Sequence, residues 1–145
     1  MLEFIFYFTT MSSYTYKSTR GQVSGWSFEQ VVMGGLAPDG GLFIPEAIPQ
    51  VQSKISEWSN LDYKSLCYNI LRLYIDPKEV SDSDLQRIIT ASYQDNFRDK
   101  LIAPCRLVGP VWILELFHGP TYSFKDVALQ FLGNLFEYFL TKSDG

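Results

Sequence analysis

"VWILELFHGPTYSFKDVALQFLGNLFEYFL", Val111 to Leu140, decides the fold class. Val111 to Phe117 is a continuous apolar run broken only by Glu115, and it predicts a buried strand. His118-Gly119-Pro120 predicts a tight break. A long helix is expected from about Thr121 to Leu140. Strand, turn and helix in that order make the opening unit of an α/β domain. A lone strand–helix pair cannot complete a parallel sheet, which needs neighbouring strands. The sequence stops at "TKSDG", so the sheet is expected to be incomplete in this chain and the rest of the polypeptide to be missing.

One lysine, Lys125, sits inside this otherwise apolar and aromatic segment. On a wheel of about 100° per residue, Asp126, Gln130, Asn134, Glu137 and Thr141 gather with Gly133 in a narrow polar stripe. Lys125 lies about 130° from the stripe's centre, beside Leu129, Leu132, Phe136 and Phe139. Two readings stand side by side. In one, the lysine snorkels to water along its aliphatic stem. In the other, burial and the positive end of the helix dipole disfavour the charged form, which suits a nucleophilic amine. The single histidine, His118, follows the strand, either as a hydrogen-bonded structural residue or at the strand end where α/β folds place ligands. No Walker or dinucleotide fingerprint is present, and "GGLAPDGG" reads as turns.

Upstream the chain is mainly helical. "YTYKSTR", Tyr14 to Arg20, alternates weakly and predicts an edge strand. Ser27-Phe28-Glu29-Gln30 has the form of a capping box, and Gly34-Gly35 predicts the stop of a short helix. Asp39-Gly40-Gly41 supplies turn chemistry, and Leu42 to Ile44 predicts a brief strand. Ser59 with Asp62 predicts a second capping box, followed by Tyr63, Leu66, Cys67, Ile70, Leu71 and Tyr74 on one helix face that ends at Asp76-Pro77. Ser81 with Asp84 predicts a third, with a stripe of Leu85, Ile88, Ile89 and Tyr93. "QDNFRDK" reads as a polar connection.

A chain of 145 residues that is 46% hydrophobic can bury a sizeable core. Its net charge of -4, with no Lys/Arg cluster, argues against nucleic acid. One histidine and two distant cysteines, Cys67 and Cys105, fit no metal spacing, so no metal site is expected. Both cysteines read as small buried hydrophobes in a reduced compartment. "MLEFIFYFTT", residues 1–10, is too short to span a bilayer and lacks a basic signal-peptide region. It reads as an apolar extension upstream of a second start at Met11. A cytoplasmic protein without membrane contact is expected.

"ELFHGPTYSFKDVALQFLGNLFEYFL", Glu115 to Leu140, closely resembles the cofactor-lysine segment of the threonine synthase family, in its longer fungal and bacterial type. "YKSTRG" (Tyr16 to Gly21), "SFEQVVMGGLAPDGGLFIP" (Ser27 to Pro45) and "RLYI" (Arg72 to Ile75) resemble that family's N-terminal region in the same order. The resemblance runs from about Met11 to the end, and GPT-x-x-FKD is far more restrictive than a glycine pattern.

The resemblance implies a fold-type II pyridoxal-phosphate enzyme. Residues 11–100 would be the family's N-terminal region and 101–145 the start of the cofactor-binding α/β domain, truncated. It implies conversion of O-phospho-L-homoserine and water into L-threonine and phosphate. It implies that Lys125 carries pyridoxal 5'-phosphate covalently and serves as general base, with Phe124 packed near the cofactor ring and His118 and Thr121 at the mouth. The family's glycine-rich phosphate loop and its polar partner for the pyridine nitrogen match nothing in these residues, so the isolated chain is expected to be inactive. Two alternatives remain open. One is a phospholyase that eliminates phosphate without forming threonine. The other is a non-catalytic form that binds a partner through the apolar helix Val127 to Leu140. That uncovered face also predicts self-association.

Overall fold

The computed structural model describes residues 14–143, so the readings of residues 1–10 and of Met11 as a start lie outside the described residues. Two small antiparallel sheets flank a helical core. β1 (Tyr16–Ser18) pairs with β2 (Phe43–Pro45) in the register Tyr16 to Pro45 and Ser18 to Phe43. The turn between Ala37 and Gly41 is fixed by Asp39. Its Oδ1 accepts the Ser18 hydroxyl at 2.7 Å and the Gly41 N–H at 2.9 Å. These bonds, the Ser18 hydroxyl's first, hold the Asp39 carboxyl below its ordinary range.

Helix starts follow local capping chemistry. α1 (Phe28–Gly34) begins at Ser27 with the reciprocal box intact, and Gly35 closes it with φ 69°. A 3₁₀ turn (Gln52–Lys54) runs into the short α2 (Ile55–Trp58), neither of which the sequence pattern predicts. Ser59 therefore closes α2, and Asp62 alone caps α3 (Tyr63–Leu71) through the Ser65 N–H. α3 stops before Tyr74 and before Asp76-Pro77. Its end is held by Arg72, whose Nη1 donates to the carbonyls of Ile75 and Val80. α4 (Asp82–Ser92) starts at Ser81, whose hydroxyl accepts the Asp84 N–H at 3.1 Å.

The core lies where α4 meets α5 (Asp126–Ser143). Leu85, Ile88 and Ile89 of α4 pack with Leu135 and Phe139 of α5, all almost fully buried. Ile75, Val80, Tyr93, Phe97 and Ile102 complete the cluster, so Phe97 gives the polar connection an apolar anchor. The polar stripe of α5 does not face water throughout. Asn134 donates to Ser92 Oγ at 3.2 Å, and Asn96 donates to Gln130 Oε1 at 3.0 Å, which joins α5 to the α4 end. The exposed side of α5 keeps Glu137 and Thr141 of the stripe and also carries Ala128, Leu129 and Leu140.

The segment expected to be a buried strand is β4 (Val111–Leu114), paired antiparallel with β3 (Cys105–Val108) in a hairpin turned at Gly109, φ 59°. The order strand, turn, helix holds. The burial does not: all eight strand residues are exposed, Trp112 by 66%. An apolar run signals a surface that favours cover, and no described element lies over this hairpin. Cys105 is accordingly exposed, whereas Cys67 is half-buried and its thiol is pushed up to about 11 by burial. No described helix is long and apolar enough to cross a membrane.

Candidate functional site

Between β4 and α5 the chain makes a compact loop, residues 115–125, and the candidate residues lie on it. His118 Nε2 lies 2.7 Å from Glu115 Oε2. Arg106 reaches the same oxygen with Nε at 3.3 Å and Asp99 Oδ2 with Nη2 at 2.6 Å. The His118 bond, then Arg106, keeps the Glu115 carboxyl below its ordinary range. The His118 carbonyl accepts the Arg98 N–H at 2.9 Å, and the Arg98 guanidinium lies 4.1 Å from the Tyr122 ring centre. His118 is thus tied to the hairpin base.

Tyr122 adopts φ 62°, a left-handed conformation that costs a non-glycine residue roughly 1–3 kcal/mol and persists only where its surroundings enforce it. Three N–H groups near the lysine are spent locally. Thr121 N–H goes to Asp126 Oδ2 at 2.8 Å, Tyr122 N–H to Gly119 O at 3.2 Å, and Lys125 N–H to Ser123 Oγ at 3.2 Å. The Thr121 hydroxyl donates to Asp126 Oδ1 at 2.8 Å, so it braces the loop.

α5 starts at Asp126, five residues later than the pattern predicts. Lys125 is therefore the last loop residue and not a residue of the first helical turns; its carbonyl accepts the Leu129 N–H at 2.8 Å. Its side chain is exposed, as in the reading that takes it to water; the burial that the other reading invokes is not supplied by the described residues. No described carboxylate or hydroxyl pairs with its amine. Phe124 beside it is 66% exposed. Asp126, a member of the polar stripe, is buried. The sequence reading missed its role because a polar stripe does not show which of its members a neighbouring loop covers. The signal lay in Gly119 and Thr121 standing shortly before an acid.

The donor set suits one part of an aldehyde cofactor. Covalent capture needs a primary amine that no acid holds, and Lys125 is one. A cofactor phosphate needs converging N–H groups, and this loop has committed those of Thr121, Tyr122 and Lys125 elsewhere. Cavity volume does not point to the same place. A groove of about 480 Å³ between α3 and α4 is lined by Leu61, Lys64, Tyr68 and Gln86 among others, with no residue of the 115–125 loop and no nucleophile paired to a base.

Residues 15–93, more than half of the chain, match the sequence model of a family described as "Threonine synthase N terminus". A threonine synthase of Schizosaccharomyces pombe is 48% identical over 136 residues, which cover 92% of this chain and 26% of the relative. The crystal structure of yeast threonine synthase superposes with a TM-score of 0.83 at 49% identity, covering 91% of this chain and 27% of that one. A PLP-bound threonine synthase from Brucella melitensis gives a TM-score of 0.83 at 32% identity, covering 90% and 28%. The chain spans about a quarter of the length of the relatives it matches.

Proposed function

The chain belongs to the threonine synthase family, and on that premise we propose that it supplies the cofactor lysine, Lys125, of an enzyme that converts O-phospho-L-homoserine and water into L-threonine and phosphate. One observation carries the reading: an exposed amine without an acid partner stands at the loop–helix junction of the FKD motif, on a loop braced from both ends. The likeness to a PLP-bound relative supports pyridoxal 5'-phosphate as the cofactor.

Pyridoxal phosphate supplies, when bound, the electron sink for proton loss beside the amino group. The chain's own residues have narrower tasks. The Lys125 amine would hold the cofactor covalently and, when free, accept and return a proton at the substrate's α carbon. The exposed Phe124 ring would pack against the cofactor and exclude water. The Thr121, Tyr122 and Lys125 N–H groups are already committed and would not take up the cofactor's phosphate. Residues 11–100 are read as the N-terminal region, which the match over 15–93 supports, and 101–145 as the start of the cofactor-binding domain. Two free thiols, one exposed, support a reducing cytoplasmic compartment.

The test is product analysis on the natural polypeptide that contains this chain. With O-phospho-L-homoserine it is expected to release phosphate and L-threonine in equal amounts, and Lys125→Ala is expected to abolish both. Phosphate without threonine would move the reading to a phospholyase. Full turnover by folded Lys125→Ala would overturn the assignment of Lys125.

A further inference from the structure

Lysine is a poor choice for the position that Lys125 holds. An N-cap is ordinarily Ser, Thr, Asp or Asn, whose side-chain oxygen accepts an orphan N–H of the first turn. Lysine has no acceptor, and its cation faces the positive end of the helix dipole. α5 nevertheless begins immediately after it.

The neighbouring acid explains how that start is held. Asp126 is 3% exposed, and both of its oxygens are used by one residue. Oδ2 accepts the Thr121 N–H and Oδ1 the Thr121 hydroxyl, each at 2.8 Å. Gly119 closes over the carboxylate so tightly that a Cβ there would overlap Asp126 Cβ and lie 2.8 Å from its Cγ. The Asp126 N–H donates to the Ser123 carbonyl at 3.0 Å, which draws the last loop residues onto the helix. Residues 119–126 thus form one hydrogen-bonded unit centred on a buried carboxylate, with Lys125 at its rim.

We propose that Asp126 is a positioning residue for cofactor capture: clasped by Thr121 and covered by Gly119, its carboxylate fixes the loop so that Lys125 presents its amine to an aldehyde cofactor. The inference rests on the reading of Lys125 given above. It assigns geometry, not charge, to Asp126. Asp126→Asn keeps an acceptor for the Thr121 N–H, and its amide can donate to the Thr121 hydroxyl, so the clasp survives. Asp126→Ala removes both bonds. Thr121→Val keeps its shape and removes only the hydroxyl bond.

The experiment uses the natural polypeptide, freed of cofactor, with pyridoxal phosphate as the probe. In the labelling the amine nitrogen bonds to the aldehyde carbon, one water leaves, and borohydride delivers hydride to the C=N bond. Peptide mapping then gives the ratio of label on Lys125 to label on the exposed Lys54, Lys78 and Lys100. Circular dichroism and thermal unfolding establish that each variant is folded. Asp126→Ala is expected to lower the ratio by about tenfold or more, since small displacements of a reacting group are costly. Asp126→Asn is expected to stay near wild type, a rescue that a need for negative charge would not give. If Asp126→Ala does not fold, Thr121→Val decides, with a severalfold fall expected. A folded Asp126→Ala or, in its place, Thr121→Val with the wild-type ratio would overturn the proposal while leaving Lys125 as the cofactor lysine. Wild-type protein without preferential label on Lys125 would overturn both.

Discussion

Glu115 and His118 form a hydrogen bond of 2.7 Å between Oε2 and Nε2 that ties the start of the Lys125 loop to the base of the β3–β4 hairpin. Arg106 binds the same carboxylate from the neighbouring strand at 3.3 Å. The Glu115 carboxyl is held below its ordinary range, chiefly by the His118 bond. A carboxyl depressed in the folded state stabilises it above the unfolded pKa, and the gain is lost as pH falls through the folded value. Protection of the Arg98 amide, bonded to the His118 carbonyl, is therefore expected to fall on acidification below the usual carboxylate range. Hydrogen exchange across that range checks it. Glu115→Gln should remove most of the dependence, and an unchanged profile in that variant would assign it elsewhere, to Asp99 first, which is also held low.

Phe139 is fully buried and Leu135 is 1% exposed where α5 meets α4. Phe139→Ala is expected to cost about 3–5 kcal/mol and Leu135→Ala about 2–5 kcal/mol, transfer and cavity terms together. Urea unfolding reads both. A loss below about 1 kcal/mol at Phe139 would mean that α5 is not seated on α4 as described.

Tyr16 is buried and donates its hydroxyl to the Tyr74 carbonyl at 2.9 Å. Burial first, then the charge of Glu79, raises its phenol from 10.0 to about 12. Between those values the unfolded chain loses the proton and the folded chain keeps it, so stability falls as pH rises through that window. Tyr93, raised by burial and by Tyr63 and Cys67, acts in the same direction. Tyr16→Phe is expected to flatten part of the alkaline limb in thermal unfolding scans from pH 8 to 12, while costing about 0.5–1.5 kcal/mol at neutral pH through the lost hydrogen bond. An unaltered alkaline limb would contradict this.

Trp112, Leu107, Val108 and Leu114 of the hairpin and Leu129 and Leu140 of α5 are all more than half exposed. Apolar surface on this scale drives association. The 145-residue chain by itself is expected to self-associate through it. Trp112→Lys with Leu129→Gln should shift sedimentation towards the monomer, and a monomeric wild-type chain would contradict the expectation.

Legibility in the sequence followed the range of the interactions. The Ser27 and Ser81 caps were readable because a cap is settled within four residues, and the α4 stripe because its period is local. Asp62 instead of Ser59 starts α3, because Ser59 is already used at the end of α2. Burial was less readable. The run at Val111–Leu114 shows an apolar surface but cannot show what covers it. The start of α5 was misplaced because Thr121 and Asp126 bond across the loop, and Tyr122 takes a backbone conformation that no periodicity announces. The wheel left Lys125 between water and burial, because it cannot show whether a neighbouring element covers the residue; the structure places its side chain in the open.

Lys125 as the cofactor lysine is tested most directly by borohydride reduction of the natural polypeptide as purified, without added cofactor, followed by peptide mapping. A single pyridoxyl adduct on Lys125 is the predicted result. An adduct on a different lysine, or none in a preparation that turns over O-phospho-L-homoserine, would contradict it.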